Sequence, residues 1–281
     1  MAEKVVIGNA ELWHGDCLEL MRGLPDASVD MVMCDLPYGT TACKWDTVIP
    51  FEPLWAHYKR VIKPNGAIVL FGQEPFSSVM RLSNINEYKY DWVWDKVKPG
   101  AFATAKYAPL KQHELVSVFY RNAGAYNPQM TARDKVKKSK IYASSDSALV
   151  KYNDGIEREY TELYPKSIIV ESNADQRVKL HPTQKPVALC EYLIRTYTNQ
   201  GEVVMDNCMG SGTTGVACAR MGRAFTGIER ERKYFDIACE RIARAQAQGQ
   251  LPPPGLAGSP EQQATALSRP TQQLSGAPRP L

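Results

Sequence analysis

Glu202-Val203-Val204-Met205-Asp206-Asn207-Cys208-Met209-Gly210-Ser211-Gly212-Thr213-Thr214 is the stretch on which the fold turns. Glu202 to Met205 reads as a short covered strand. A polar loop, Asp206 to Thr214, leads into a helix over Gly215 to Met221. A second apolar run, Arg223 to Ile228, ends on Glu229. Gly210 and Gly212 let a ligand approach the loop backbone closely. The helix start offers unpaired N–H groups and a positive dipole end, which suit a phosphate or a carboxylate. Glu229 follows Gly210 by about 20 positions, where Rossmann-like sites hold a ribose hydroxyl. No lysine follows Gly212, so the loop is not a P-loop. Gly210 to Gly215 matches dinucleotide spacing, but Asp206 ahead of it is atypical of such sites. The residues alone imply a nucleoside-containing cofactor.

A second stretch, Met33-Cys34-Asp35-Leu36-Pro37-Tyr38-Gly39, also ends a strand, which starts at Val29. Pro37 has no N–H for a sheet, so pairing should stop there. A carboxylate and a phenol are then held at the C-terminal edge, where open α/β sheets bind ligands. An ordinary turn accounts equally well for these residue types taken alone.

Around these stretches the chain alternates strands and helices. Val5 to Ile7 and Glu11 to His14 read as strands, and Asp16 can cap the helix after it or serve a ligand. Thr40 to Asp46, with Trp45, reads as a loop over the strand edge. Phe51 to Ile62 is an amphipathic helix, Ala67 to Phe71 a strand and Pro75 to Leu82 a helix. Tyr88 to Trp94 and Leu115 to Tyr120 are strands. Val187 to Tyr197 and Tyr234 to Ala245 are helices. This pattern predicts an α/β fold, a Rossmann-like doubly wound and mostly parallel sheet with an antiparallel strand.

The 281 residues are 44% hydrophobic, enough for a substantial core. No apolar run reaches the roughly 18 residues that span a bilayer. The start lacks a secretory pattern, so a cytoplasmic protein without a membrane partner is expected. Net charge is +4, compatible with a polyanion partner. Seven cysteines without a Cys-x-x-Cys pair argue against a disulfide framework or zinc site, and no metal is expected.

Residues 121–180 change character, with weak periodicity, interleaved tyrosines and the basic run Arg133, Lys135, Lys137, Lys138 and Lys140. Little regular structure is expected there. The run suits either phosphate contacts or a solvated face. Residues 248–281, rich in Pro, Gln and Ala, are expected to form a disordered tail.

Taken together, Asp35-Leu36-Pro37-Tyr38 and the loop Asp206 to Thr214 with Glu229 resemble the amino-group DNA methyltransferases, which use S-adenosylmethionine. Gly15-Asp16-Cys17, His113-Glu114 and His181-Pro182-Thr183-Gln184-Lys185-Pro186 extend the resemblance over about residues 10 to 245. The motif order, catalytic first and cofactor last, is the family's β arrangement. This chain has Leu36 where the family has proline, and Asn207-Cys208 where it has Pro-Phe.

The resemblance implies that Asp35 and the Leu36 carbonyl accept the two N–H bonds of a target amino group. Pro37 would fix the turn, and Tyr38 would stack on an extruded base. It implies Glu229 on the cofactor ribose, Asp16 on its adenine, and Lys185 with Thr213 on its carboxylate. Asp206 would organise the loop, with Cys17, Asp35, Cys208, Gly210, Ser211 and Gly212 lining the site. An Asp at position 35 points to adenine N6, with cytosine N4 as the alternative. The implied organisation is a catalytic half over 1–120, target recognition over 121–180 and a cofactor half over 181–247. The β arrangement further implies a homodimer on double-stranded DNA, with Trp45 and the basic run as contacts. A non-catalytic DNA- or nucleotide-binding module and an RNA methyltransferase are the other classes.

Overall fold

The structure, a computed structural model, describes residues 3–40, 46–140, 157–173 and 184–249. Its strands are β1 (Glu3–Ile7), β2 (Ala10–His14), β3 (Val29–Cys34), β4 (Ile62–Gly72), β5 (Tyr88–Gly100), β6 (Lys111–Phe119), β7 (Thr131–Lys140), β8 (Glu157–Leu163), β9 (Ile168–Val170), β10 (Val203–Asp206) and β11 (Ala224–Glu229). Its helices are α1 (Cys17–Leu20), α2 (Phe51–Val61), α3 (Phe76–Ser83), α4 (Val187–Tyr197), α5 (Thr213–Met221) and α6 (Arg232–Gly249).

The main sheet has the order β1-β2-β11-β10-β3-β4-β6-β5-β9. Only β1 and β6 run against their neighbours; every other adjacent pair is parallel. The strands are apolar on both faces because both faces are covered. Met31 and Met33 of β3 pack towards α4, α5 and α6, while Val32 and Cys34 pack towards α1, α2 and α3. Asp30 breaks that run at little cost: it accepts from Val203 N at 2.9 Å and pairs with Lys63 at 2.7 Å. Gly215 lets α5 lie directly on its neighbours, since a Cβ there would sit 2.4 Å from Ile242 Cδ1 and 2.7 Å from Phe225. The doubly wound α/β sheet expected from the sequence is therefore present.

Two differences stand out. β5 runs past Trp94 to Gly100, because it leaves the sheet as a hairpin with β6 and loses its buried face. Residues 121–180, expected to hold little regular structure, contain β7, β8 and β9. β7 and β8 pair only with each other, so no buried face imposes an apolar alternation. No described helix is long and apolar enough to cross a membrane. The expected tail beyond residue 249 lies outside the described residues.

Candidate active site

A cleft of about 310 Å³ opens at the C-terminal ends of β3, β10 and β11. Residues of both motifs line it, from Asp35 to Tyr38 and from Asp206 to Gly210. Parallel pairing of β3 with β10, in the register Val204 to Met31, brings these distant stretches side by side.

On the catalytic side, Tyr38 donates its hydroxyl to Asp35 Oδ1 at 2.5 Å, and Lys185 Nζ donates to Asp35 Oδ2 at 2.6 Å. The Leu36 side chain is buried in the layer with α2, so this residue can offer the cleft only its main chain. After Pro37, Gly39 takes a positive φ of 69°, and Asp46 receives Gly39 N and Thr40 N at 2.9 Å each. The turn is thereby fixed by backbone hydrogen bonds. One side of the Tyr38 ring meets Phe76, with centroids 4.9 Å apart. Trp45 lies outside the described residues.

The sequence reading puts Lys185 on the cofactor carboxylate; the structure pairs its ammonium with Asp35 and with Glu114, the latter at 3.2 Å. Its side chain is only 10% exposed, and a buried ammonium needs counter-charges close by. Lys96 approaches the other Glu114 oxygen at 3.1 Å. Burial pushes the Asp35 carboxyl above its ordinary range, with Lys185 opposing and Glu114 adding to the rise. Burial also works against the Lys185 ammonium, but Asp35 and Glu114 outweigh it and hold the lysine protonated. Glu114 ends below the usual carboxylate range because Lys185 and Lys96 overcome its burial.

The cofactor side is built differently. Asp206 accepts from Cys208 N at 3.1 Å and from the Thr214 hydroxyl at 2.6 Å, and burial pushes it up to about 6. Glu229 accepts from Gly210 N and Glu231 N, each at 2.8 Å, and burial raises it too. Gly212 has φ +76°, and a Cβ there would lie 2.8 Å from Ala238 Cβ, so a side chain is excluded twice over. Ser211 donates to Gln184 Oε1 at 3.1 Å. Arg241 on α6 reaches the Ser211 hydroxyl at 2.8 Å and the Thr213 hydroxyl at 3.3 Å, clamping the loop from behind. Asp16 does cap α1, receiving Leu18 N at 2.9 Å and Glu19 N at 3.3 Å, and it also lines the cleft with Cys17. Cys208 hydrogen-bonds with Cys17 and Cys34; the Cys17 thiol is raised by that bond and by burial, and burial pushes Cys34 up to about 12. These remain thiols and pack as small apolar groups.

A nucleoside cofactor with a carboxylate at one end fits this side. The Gly212 cradle has no room for a Cβ, the α5 N-terminus faces the loop, and Glu229 ends the neighbouring strand.

The basic run lies on β7, away from the cleft lining. Lys138 pairs with Glu159 at 2.6 Å, and Arg133 Nε donates to the Glu162 carbonyl at 3.1 Å. Arg133, Lys135, Lys137 and Lys138 thus share one ribbon, and Lys140 ends it.

The sequence reading noted Glu114 only within His113-Glu114, without a role, and passed over Arg241 and Tyr58, whose hydroxyl donates to Asn207 Oδ1 at 2.5 Å. A parity signal existed for Glu114. It shares its β6 face with the buried Val116 and Val118, and a carboxylate on such a face requires a partner.

Known proteins agree with this geometry. The DNA methylase family profile for N6 and N4 enzymes matches residues 29–240. Type II methyltransferase M2.LlaDCHI of Lactococcus lactis subsp. cremoris is 27% identical over 266 residues, covering 86% of this chain and 92% of that protein. M2.DpnII of Streptococcus pneumoniae is 27% identical over 256 residues, covering 82% and 88%. The M1.HpyAVI–SAM complex superposes with a TM-score of 0.56 at 26% identity, covering 83% of this chain and 99% of that one. The PvuII DNA methyltransferase, cytosine-N4-specific, shares the fold at TM-score 0.63 and 17% identity, covering 87% and 93%. The chain belongs to the amino-group DNA methyltransferase family, whose cofactor is S-adenosylmethionine.

Proposed function

We propose that the protein methylates the exocyclic N6 of an adenine extruded from duplex DNA. The observation that carries this reading is Asp35 at the strand end, held between Tyr38 and Lys185 beside the Leu36 main chain. A ring-conjugated amino nitrogen is a poor nucleophile. Asp35 and the Leu36 carbonyl accept its two N–H bonds and draw its lone pair out of conjugation. S-adenosylmethionine supplies an electrophilic methyl group. As the new C–N bond forms, the methyl–sulfur bond would break and release the neutral thioether S-adenosylhomocysteine, while the nitrogen gives its proton to Asp35, whose raised pKa suits it to receive one. Tyr38 stacks on the base with the ring face not covered by Phe76.

For the cofactor, Glu229 is assigned to the ribose hydroxyls, Asp16 to the adenine amino group and Asp206 to the sulfonium end. Thr213 and the loop Gly210–Gly212 are assigned to the carboxylate. Lys185 becomes a positioning residue for Asp35. The β7–β8 ribbon and the rest of 121–180 are assigned to target recognition, and a homodimer is the expected assembly, checked by light scattering against the 31.4 kDa chain mass.

Adenine is preferred to cytosine because the amino-group acceptor is Asp35. The test is methylation of unmethylated genomic DNA followed by nucleoside mass spectrometry. N6-methyladenine is expected; N4-methylcytosine as the main product overturns the base assignment. No transfer to DNA leaves a binding module or an RNA substrate, distinguished by swapping the nucleic acid.

A further inference from the structure

We infer that the β5–β6 hairpin is a DNA-contacting finger beside the cleft, with Lys98 and Lys106 on phosphates and Tyr107 and Phe102 stacked on bases. This rests on the DNA methyltransferase reading.

Placement comes first. β6 is antiparallel to both β4 and β5, so β5 runs in the same direction as β3 and β4. The C-terminal end of β5 therefore opens at the sheet edge that carries Asp35. Pairing closes at Gly100 and Lys111, and residues 101–110 project beyond it, all exposed. The base of the finger is tied to the cleft. Trp94 and its cross-strand partner Glu114 line the cleft, and Lys111 Nζ donates to Gln73 Oε1, another lining residue, at 2.8 Å.

The tip is built rather than loose. Thr104 N donates to the Ala101 carbonyl at 3.1 Å, while Tyr107 N and Ala108 N donate to the Thr104 carbonyl at 2.8 and 3.0 Å. Ala101 and Val97 both hold positive φ, at 63° and 66°, an uncommon state for a β-branched residue such as Val97.

Chemistry then selects the partner. Between Lys96 and Gln112 there are three lysines, Lys98, Lys106 and Lys111, and no acid. Tyr107 is 90% exposed and Phe102 68%. Large aromatics on a projection whose only charges are basic suit a polyanion whose base faces open where a nucleotide is extruded. A second copy of this same tip would meet like charge.

The test measures binding of a short mixed-sequence duplex by fluorescence anisotropy at several salt concentrations. Lys98→Ala/Lys106→Ala should flatten the slope of log affinity against log salt by about 1 to 2. Tyr107→Ala should weaken binding roughly tenfold, and Tyr107→Phe, which keeps the ring, should restore it. S-adenosylmethionine binding by calorimetry should match the native protein in every variant. Unchanged slope and affinity in the variants, with native methyl transfer to genomic DNA intact, overturn the finger alone. A native protein that neither binds duplex nor methylates DNA overturns the functional reading and the finger with it. A Tyr107→Ala protein with native DNA affinity but altered mass by light scattering assigns the ring to self-association and overturns the proposal.

Discussion

Asp35 and Glu114, on the catalytic side of the cleft, share one buried lysine, whereas Asp206 and Glu229, on the cofactor side, rest on backbone N–H groups and a hydroxyl. Lys185 opposes the rise that burial gives Asp35, whose carboxylate accepts from both the lysine and Tyr38. Neutral donors satisfy the second pair without cancelling its charge. In the proposed reading, these acids face a ligand that brings hydroxyls and a cationic sulfonium. One cleft thus holds its acids in two ways, matching the two uses proposed for them.

The comparison breaks most visibly at Asp35. Asp35→Ala should lower kcat for methyl transfer by roughly 10³-fold while cofactor affinity, measured by calorimetry, stays near native. Lys185→Met should follow. Leaving Asp35 without its cation, and Glu114 with Lys96 alone, should cost about 3–5 kcal/mol in stability, read by urea titration. It should also move the acid limb of the pH–rate profile upward, since Asp35, already raised by burial, loses its opposing charge. A Lys185→Met protein whose acid limb stays in place would show that Lys185 does not tune Asp35. Glu229→Gln should weaken cofactor binding by roughly ten- to thirtyfold with kcat at saturation little changed, the size of one charge-assisted contact. The last effect is on stability and belongs to Asp206. Its folded pKa, about 6, exceeds the ordinary aspartate value of 3.8, so the ionised form is penalised in the folded state. The penalty is absent below about pH 4, grows through pH 6 and is complete above it, reaching at most about 3 kcal/mol. Asp206→Asn should therefore melt several degrees above the native protein at pH 8, and the gap should narrow at pH 5. An equal gap at both pH values would mean that charge burial is not what separates them.

Much of this cleft can be read from the chain. Strands covered on both faces are apolar in both parities, so β3, β10 and β11 announce themselves, and loop glycines with a trailing acid mark the ligand edge. The partnership of Lys185 with Asp35 cannot be read, because it joins residues 150 apart and depends on which buried charges meet. Glu114 and Arg241 are intermediate cases: each is a charged residue in step with buried neighbours, Val116 on β6 and Ala238 and Ala245 on α6, and that pattern demands a partner without naming it. The β7–β8 ribbon is least legible, since strands with no covered face leave no periodic trace.

The strand order carries a consequence for the chain as it is made. β2 and β3 are among the first strands synthesised, yet their parallel neighbours are β11 and β10, made nearly two hundred residues later. Until residues 203–229 leave the ribosome, one edge of β3 has no partner, and the β1–β2 hairpin has no hydrogen-bonded link to the rest of the sheet. An unpaired, largely apolar edge invites strand addition from other chains. A ribosome stalled before Val203 would hold a sheet in two pieces, and chaperone dependence during synthesis should concentrate in that interval.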